Sequence, residues 1–295
     1  MALAPTATGT VIVVGSANLD LVATTDRHPL PGETLTGTGY SEYPGGKGLN
    51  QAVASSRAGS PTSFICALGT DDAGRFLQSV ATSDGIDLSA ARVSETMPTG
   101  RALIVVDEHG ENTIIVIPGS NAECPPALNI GSSDVVLAQL EVPISTVIDS
   151  FTAARAAGAR TILNPAPATT LDHSLLALCD IVVPNEHEVE LLGGVAALQR
   201  LGVEIVIVTR GPKGIDLHQG GEMTSLPSFA VDPVDTTGAG DAFCGTLAAS
   251  LASGLELSDA CQRALAAGAL ATTKHGAVPS LPFQADVEAL ISSAA

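Results

Sequence analysis

Short apolar runs recur from residue 11 to residue 208: Val11-Ile-Val-Val14, Ser63-Phe-Ile-Cys66, Val135-Val-Leu137, Thr161-Ile-Leu163, Ile181-Val-Val183 and Ile205-Val-Ile-Val208. A strand apolar at successive positions must be covered on both faces, the condition inside a parallel sheet. Between these runs lie Ala-rich stretches of helical character near 47–58, 73–83, 144–157 and 186–192. The alternation predicts an α/β fold, a doubly wound and mostly parallel sheet flanked by helices.

Two segments break the rhythm. Residues 18–43 are rich in Thr, Gly and Pro with alternating apolar positions, and residues 100–117 read as a hairpin turning around Glu108-His109-Gly110. Together they predict a small β-layer standing off the main sheet as a lid. From 239 onward the chain reads as helices near 239–253, 258–273 and 284–292. At 295 residues the chain approaches the ceiling for one core, so the expectation is a single domain, 1–295, carrying the lid within it.

Thirteen basic residues against 31 acidic ones give a net charge of −18. That field repels nucleic acid and anionic membrane surfaces, and neither is an expected partner. The five cysteines (66, 124, 179, 244 and 261) form no CxxC pair and lie among apolar or small residues, so they read as buried free thiols. The opening MALAPTATGT lacks a basic n-region, and no apolar stretch has the length of a membrane helix. A cytoplasmic protein is expected.

The strongest local motif is Asp235-Thr-Thr-Gly238-Ala239-Gly240-Asp241, which opens an Ala/Leu-rich helix. Its glycines let backbone N–H groups converge at a helix start, an anion site reinforced by the helix dipole. A carboxylate at Asp241 suits a base that deprotonates a hydroxyl while those amides stabilise a transferring phosphoryl group. The alternative is a simple helix cap. A second Gly-rich stretch, Pro44-Gly45-Gly46-Lys47-Gly-Leu-Asn50, also enters a helix but is not a Walker A loop. Lys47 and Asn50, three residues apart, share a helix face. Asn18 and Asp20 alternate just after the first strand, where open α/β sheets bind ligands, or form an ordinary Asx turn. No GxGxxG fingerprint accompanies them, which argues against dinucleotide binding. Asn185 and Glu188 stand three apart at a helix start, either as a capping box or near Mg²⁺. Thr209, Gly211 and Gly214 follow another strand and read as a phosphate loop or a hairpin turn. Glu141 follows the Val135 strand.

In this order these motifs resemble the ribokinase-type (PfkB) carbohydrate kinases, over about residues 11–284. Pro31-Gly-Glu-Thr34, Asn164-Pro-Ala-Pro-Ala168 and Pro184-Asn-Glu-His-Glu188 extend the likeness. The resemblance implies ATP-dependent phosphorylation of D-ribose at its 5-hydroxyl. It implies Asp241 as base, Gly238, Ala239 and Gly240 as anion hole, and sugar contacts from Asn18, Asp20, Gly45, Gly46, Lys47, Asn50 and Glu141. Asn185, Thr209, Gly211, Gly214 and Gly240 would meet the nucleotide. Glu188 would hold Mg²⁺ through water. A K⁺ site would use Asp235, Thr237, Ala271, Lys274, Gly276 and Ser280. A homodimer through the lid is implied too. The segment between Glu190 and Ile205 is shorter than that family usually has, with Gly193-Gly194 in place of a longer helix. Related acceptors (deoxyribose, fructose, or a nucleoside stacked on Tyr40 and Tyr43) stay open, as does a non-catalytic sugar sensor.

Overall fold

In the computed structural model, residues 9–171 and 173–294 are described; most of the opening segment read above for a leader, residues 1–8, lies outside them. The chain runs β1 (Val11–Val14), β2 (Asn18–Thr24), β3 (Gly39–Gly45), α1 (Lys47–Arg57), β4 (Thr62–Ile65), β5 (Ala67–Gly69), α2 (Asp72–Ser83) and β6 (Arg92–Ser94). It continues through β7 (Gly100–Val106), β8 (Asn112–Ile117), β9 (Val135–Ala138), α3 (Ile144–Ala157), β10 (Arg160–Leu163), α4 (His173–Leu176) and β11 (Ile181–Val182). Then come α5 (Glu186–Leu191), α6 (Val195–Arg200), β12 (Ile205–Thr209), β13 (Ile215–Gln219) and β14 (Glu222–Leu226). The last elements are α7 (Ala239–Ala252), α8 (Leu257–Ala271), α9 (Ala277–Ser280) and α10 (Gln284–Ala294).

The central sheet has the order β14-β13-β12-β11-β10-β9-β1-β4, parallel from β4 to β12 and antiparallel beyond. Its apolar runs serve both faces, as their composition requires. Val11 and Val13 join one core cluster with residues of α1, α7 and α8, whereas Ile12 and Val14 join the other, with residues of α3, α4 and α6. Ile205 and Ile207 divide from Val206 and Val208 in the same way. All five cysteines are free and buried.

The run expected at 63–66 ends one residue early. Past Cys66 the chain leaves the central sheet, and Ala67–Gly69 pairs with β6 in a separate two-stranded ribbon. The hairpin expected at 100–117 is present as β7 and β8, and a second, four-stranded sheet has the order β3-β2-β7-β8. Its strand β3 runs two residues past the segment read as lid. Gly45 is therefore sheet, paired with Asn18, and only Gly46 (φ 90) turns the chain into α1.

Two close approaches fix α1. A Cβ on Gly48 would lie 2.5 Å from the backbone of Gly15 and Ser16, and one on Gly245 would lie 2.5 Å from the Gln51 carbonyl oxygen. Glycine at both positions lets α1 press against the β1–β2 turn on one side and α7 on the other. Among the described residues no helix is long and apolar enough to cross a membrane.

Candidate active site

At the carboxyl edge of the parallel strands, the β1–β2 turn, the start of α1, the β9–α3 turn and the start of α7 meet. Asn18 and Asp20 lie on one face of the small sheet, opposite Gly45 and Tyr43. A Cβ on Gly45 would fall 2.1 Å from Asp20 Oδ2, so glycine makes room for that carboxylate. Asn18 is buried, and its Oδ1 accepts a 2.7 Å hydrogen bond from Asn121 Nδ2. Asn121 Oδ1 in turn accepts from the Ala17 amide at 3.0 Å. Of the two tyrosines, Tyr43 shares the Asp20 face, whereas Tyr40 has the opposite strand parity, is largely exposed and donates to Glu42. A nucleoside base would therefore find one ring there, not two.

Glu141 accepts from the Lys47 amide at 3.1 Å and from the Ser16 hydroxyl. It supplies the negative charge at the α1 start that Gly46 cannot. The Lys47 ammonium stands among carboxylates. Burial alone would lower its pKa, but Asp241, Glu141 and Glu188 outweigh burial and hold it above the ordinary lysine value. Asp20 shows the converse: burial first, then Glu141 and Asp241, push its carboxyl up to about 7.

Asp241 is the third residue of α7 and is buried. Its Oδ2 accepts from Asn50 Nδ2 at 2.9 Å and its Oδ1 from Gln51 Nε2 at 2.8 Å. Consecutive residues of α1 thus hold both oxygens. Gly238 (φ 80) starts α7 from the left-handed region that glycine favours. The Ala239 amide donates to the Thr236 carbonyl at 3.3 Å. Of the three expected donors only the Ala239 amide is thus engaged; among the described residues no backbone acceptor meets the amides of Gly238, Gly240 or Asp241. Gly240 leaves open space where a side chain would stand.

On the opposite flank Asn185 and Glu188 form a capping box: Asn185 Oδ1 accepts from the Glu188 amide and Glu188 Oε2 from the Asn185 amide, each at 2.8 Å. Burial raises the Glu188 pKa against that bond and the nearby Lys47. The backbone of Asn185 bridges to Thr209. The Thr209–Gly214 stretch is the turn joining β12 to antiparallel β13, anchored by Arg210 on Asp216 and Glu186. Gly214 is required there, since a Cβ would meet the Leu226 carbonyl oxygen at 2.0 Å. Beyond Glu190 the chain ends α5, turns through Gly193 and Gly194 (φ 86 and 85) and forms one short helix, α6.

Asp235 clasps two loops, accepting from the Thr237 amide through Oδ1 and the Gly276 amide through Oδ2, each at 2.9 Å. Burial opposes its ionisation, but these bonds win and its pKa falls below the usual value. The Asp235 amide also donates to Thr272, just after Ala271. Lys274 is exposed, and the buried Ser280 hydroxyl donates to the Ala277 carbonyl. A cavity of about 720 Å³ opens at the other, amino edge of the sheet beside Asp134, Arg160, Asp180 and Glu204, away from all these groups.

Sequence reasoning singled out the stretch that carries Asn164 but gave no role to Gln51, Gln139 or Asn121, which brace the residues of the site. Gln51 is fully buried yet polar, and its adjacency to Asn50 was the available signal.

The pfkB family carbohydrate kinase model matches residues 8–284. The chain is 37% identical to the ribokinase of Staphylococcus aureus, over 95% of this chain and 99% of that one. Among solved structures it is similar to the ribokinase of Thermotoga maritima (34% identity, TM-score 0.87, 97% of this chain and 99% of that one). It is also similar to the Arabidopsis thaliana ribokinase complexed with ribose and ATP (32% identity, TM-score 0.88, 97% of this chain and 99% of that one).

Proposed function

The chain belongs to the pfkB family of carbohydrate kinases, and from that premise we propose that it transfers the terminal phosphoryl group of ATP to the 5-hydroxyl of D-ribose. The observation that carries this reading is Asp241: a buried carboxylate held by two amide side chains at the amino end of α7, one residue after Gly240. In the proposed reaction Asp241 takes the proton of the attacking hydroxyl. The amides of Gly240 and Asp241, with the helix dipole, stabilise charge on the transferring group. Gly238 and Ala239 shape that turn. Asn18, Asp20, Lys47, Asn50 and Glu141, with Gly45 and Gly46 giving clearance, bind the sugar hydroxyls.

Asn185, Thr209, Gly211 and Gly214 flank the nucleotide in this reading. Glu188 commits Oε2 to its helix cap, which leaves Oε1 for the water shell of Mg²⁺; that ion would offset phosphate charge. Asp235, by clasping its two loops, gathers backbone from 235–237 and 271–276, a setting suited to K⁺ with Lys274 and Gly276 contributing through carbonyls. Ser280 would serve from α9. Replacing K⁺ by Na⁺ should slow turnover, and equal rates would remove that assignment.

We read the chain as one α/β domain whose four-stranded sheet is a lid and dimer contact, in a cytoplasmic enzyme. Supporting the contact, β8 is an edge strand, and Ile114, Ile115, Val116 and Ile117 are each about half-exposed. The test of the catalytic reading is Asp241→Asn. Ribose binding should persist while turnover falls by about 10²-fold or more, as for loss of a general base. Near-normal turnover would refute it.

A further inference from the structure

The two amides that face Asp241 differ in their support. Asn50 stands alone, whereas Gln51 is the middle of a buried chain of side-chain amides. Gln51 Nε2 donates to Asp241 Oδ1 at 2.8 Å and to Asn164 Oδ1 at 3.1 Å. Asn164 Nδ2 donates to the Val183 carbonyl at 3.0 Å. Gln51 Oε1 accepts from Gln139 Nε2.

The direction of every bond in this chain follows from chemistry alone. A backbone carbonyl only accepts, so Asn164 must turn its Nδ2 to Val183 and its Oδ1 to Gln51. Gln51 must answer with Nε2, whose second hydrogen then points at Asp241, an acceptor when ionised. Its Oε1 is left to face Gln139, which must present Nε2. The cost appears at the far end: Gln139 Oε1 is fully buried and has no partner among the described residues. That oxygen lies where a Cβ on Gly15 would be, 2.1 Å away, so glycine in the β1–β2 turn is what admits it. A leucine or methionine at 139 would remove that orphaned oxygen but leave the buried Gln51 Oε1 without its donor.

We propose that Gln139 is a positioning residue that acts through Gln51: Asn164 directs Gln51 Nε2 toward Asp241, and the Gln139 donor on Gln51 Oε1 holds the amide in that orientation, so that N–H, never C=O, faces the base Asp241. This rests on the reading of Asp241 as the base. Reversing Gln51 would set its carbonyl oxygen against the Asp241 carboxylate and release the carboxyl from the geometry needed for proton abstraction. Gln139 touches neither the sugar nor the phosphates in that reading.

The test is Gln139→Glu, which keeps size and shape. When protonated, the introduced carboxyl donates to Gln51 Oε1 as the amide does; when ionised, it only accepts, and its repulsion of Gln51 Oε1 pulls that amide out of its alignment with Asp241. Burial raises the pKa of such a carboxyl. The kcat of this variant should match wild type near pH 6 and fall about tenfold below it near pH 9, with the ribose KM unchanged. Asp241 shares its electrostatic surroundings with Asp20, Lys47 and Cys244, and Lys47 also with Glu141 and Glu188; the wild-type profile is the reference for their titration. A constant ratio of variant to wild-type kcat across this range would overturn the proposal. Should Gln139→Glu fail to fold, Gln139→Met decides: kcat about tenfold down with the melting temperature held supports the relay, and wild-type kcat refutes it. Loss of ribose turnover in the wild-type chain itself would instead strike the proposed function, an outcome separate from either variant result.

Discussion

At the scale of single residues the site is a set of carboxylates kept apart by one cation and several amides. Asp20 is the group whose behaviour follows most directly from its surroundings. Its carboxyl is pushed up to about 7, by burial first and then by Glu141 and Asp241. A raised carboxyl pKa means that ionisation works against the folded state, so its contribution to stability declines as pH climbs from the ordinary Asp value towards about 7. A sugar hydroxyl that donates to the carboxylate needs the ionised form. The ribose KM should therefore fall, by up to about tenfold, between about pH 6 and pH 8, and Asp20→Asn should flatten that dependence. A flat wild-type KM would exclude Asp20 as an acceptor. Asp241 was legible in the sequence because two glycines and a carboxylate open an apolar helix, a pattern with few structural uses. Asn121 and Gln139 were not. Asn121 serves Asn18 from 103 residues away, and Gln139 directly follows the apolar strand β9 as a buried polar side chain. Only the folded chain shows what they face.

At the scale of elements the alignment of α1 with α7 sets the surroundings of Asp241, because one carries Asn50 and Gln51 and the other Asp241. Gly245 permits that contact: an added methyl would stand 2.5 Å from the Gln51 carbonyl oxygen and 2.6 Å from Ala54 Cβ. Gly245→Ala should destabilise the protein by about 1–3 kcal/mol through overpacking. It should also lower kcat at temperatures where the protein remains folded, since the Asp241 partners move with α1. Thermal melts paired with kcat check both, and a stable, fully active variant would contradict this coupling. The strands and long helices were readable because apolar runs covered on both faces leave a plain periodicity. The 66–69 break was not, because Cys66 and Ala67 are as apolar as the strand they leave. The capping box at Asn185–Glu188 was visible as one of two readings, and the geometry realises it.

At the scale of the whole molecule a net charge of −18 must be overcome locally for an anionic nucleotide to bind. Lys47 and the open amides at the start of α7 are placed to do so. The small sheet ends in an apolar edge strand, and a second copy is the occupant proposed for it. Ile115→Lys should leave a monomer by analytical ultracentrifugation where wild type sediments as a dimer; a wild-type monomer would remove that role. The central claim is that this kinase acts on a bare pentose. Its most direct test is ADP release with Mg²⁺-ATP across ribose, deoxyribose, fructose, adenosine and uridine. Turnover on ribose should stand at least about tenfold above the others. Faster turnover on a nucleoside, or none on any sugar, would contradict it.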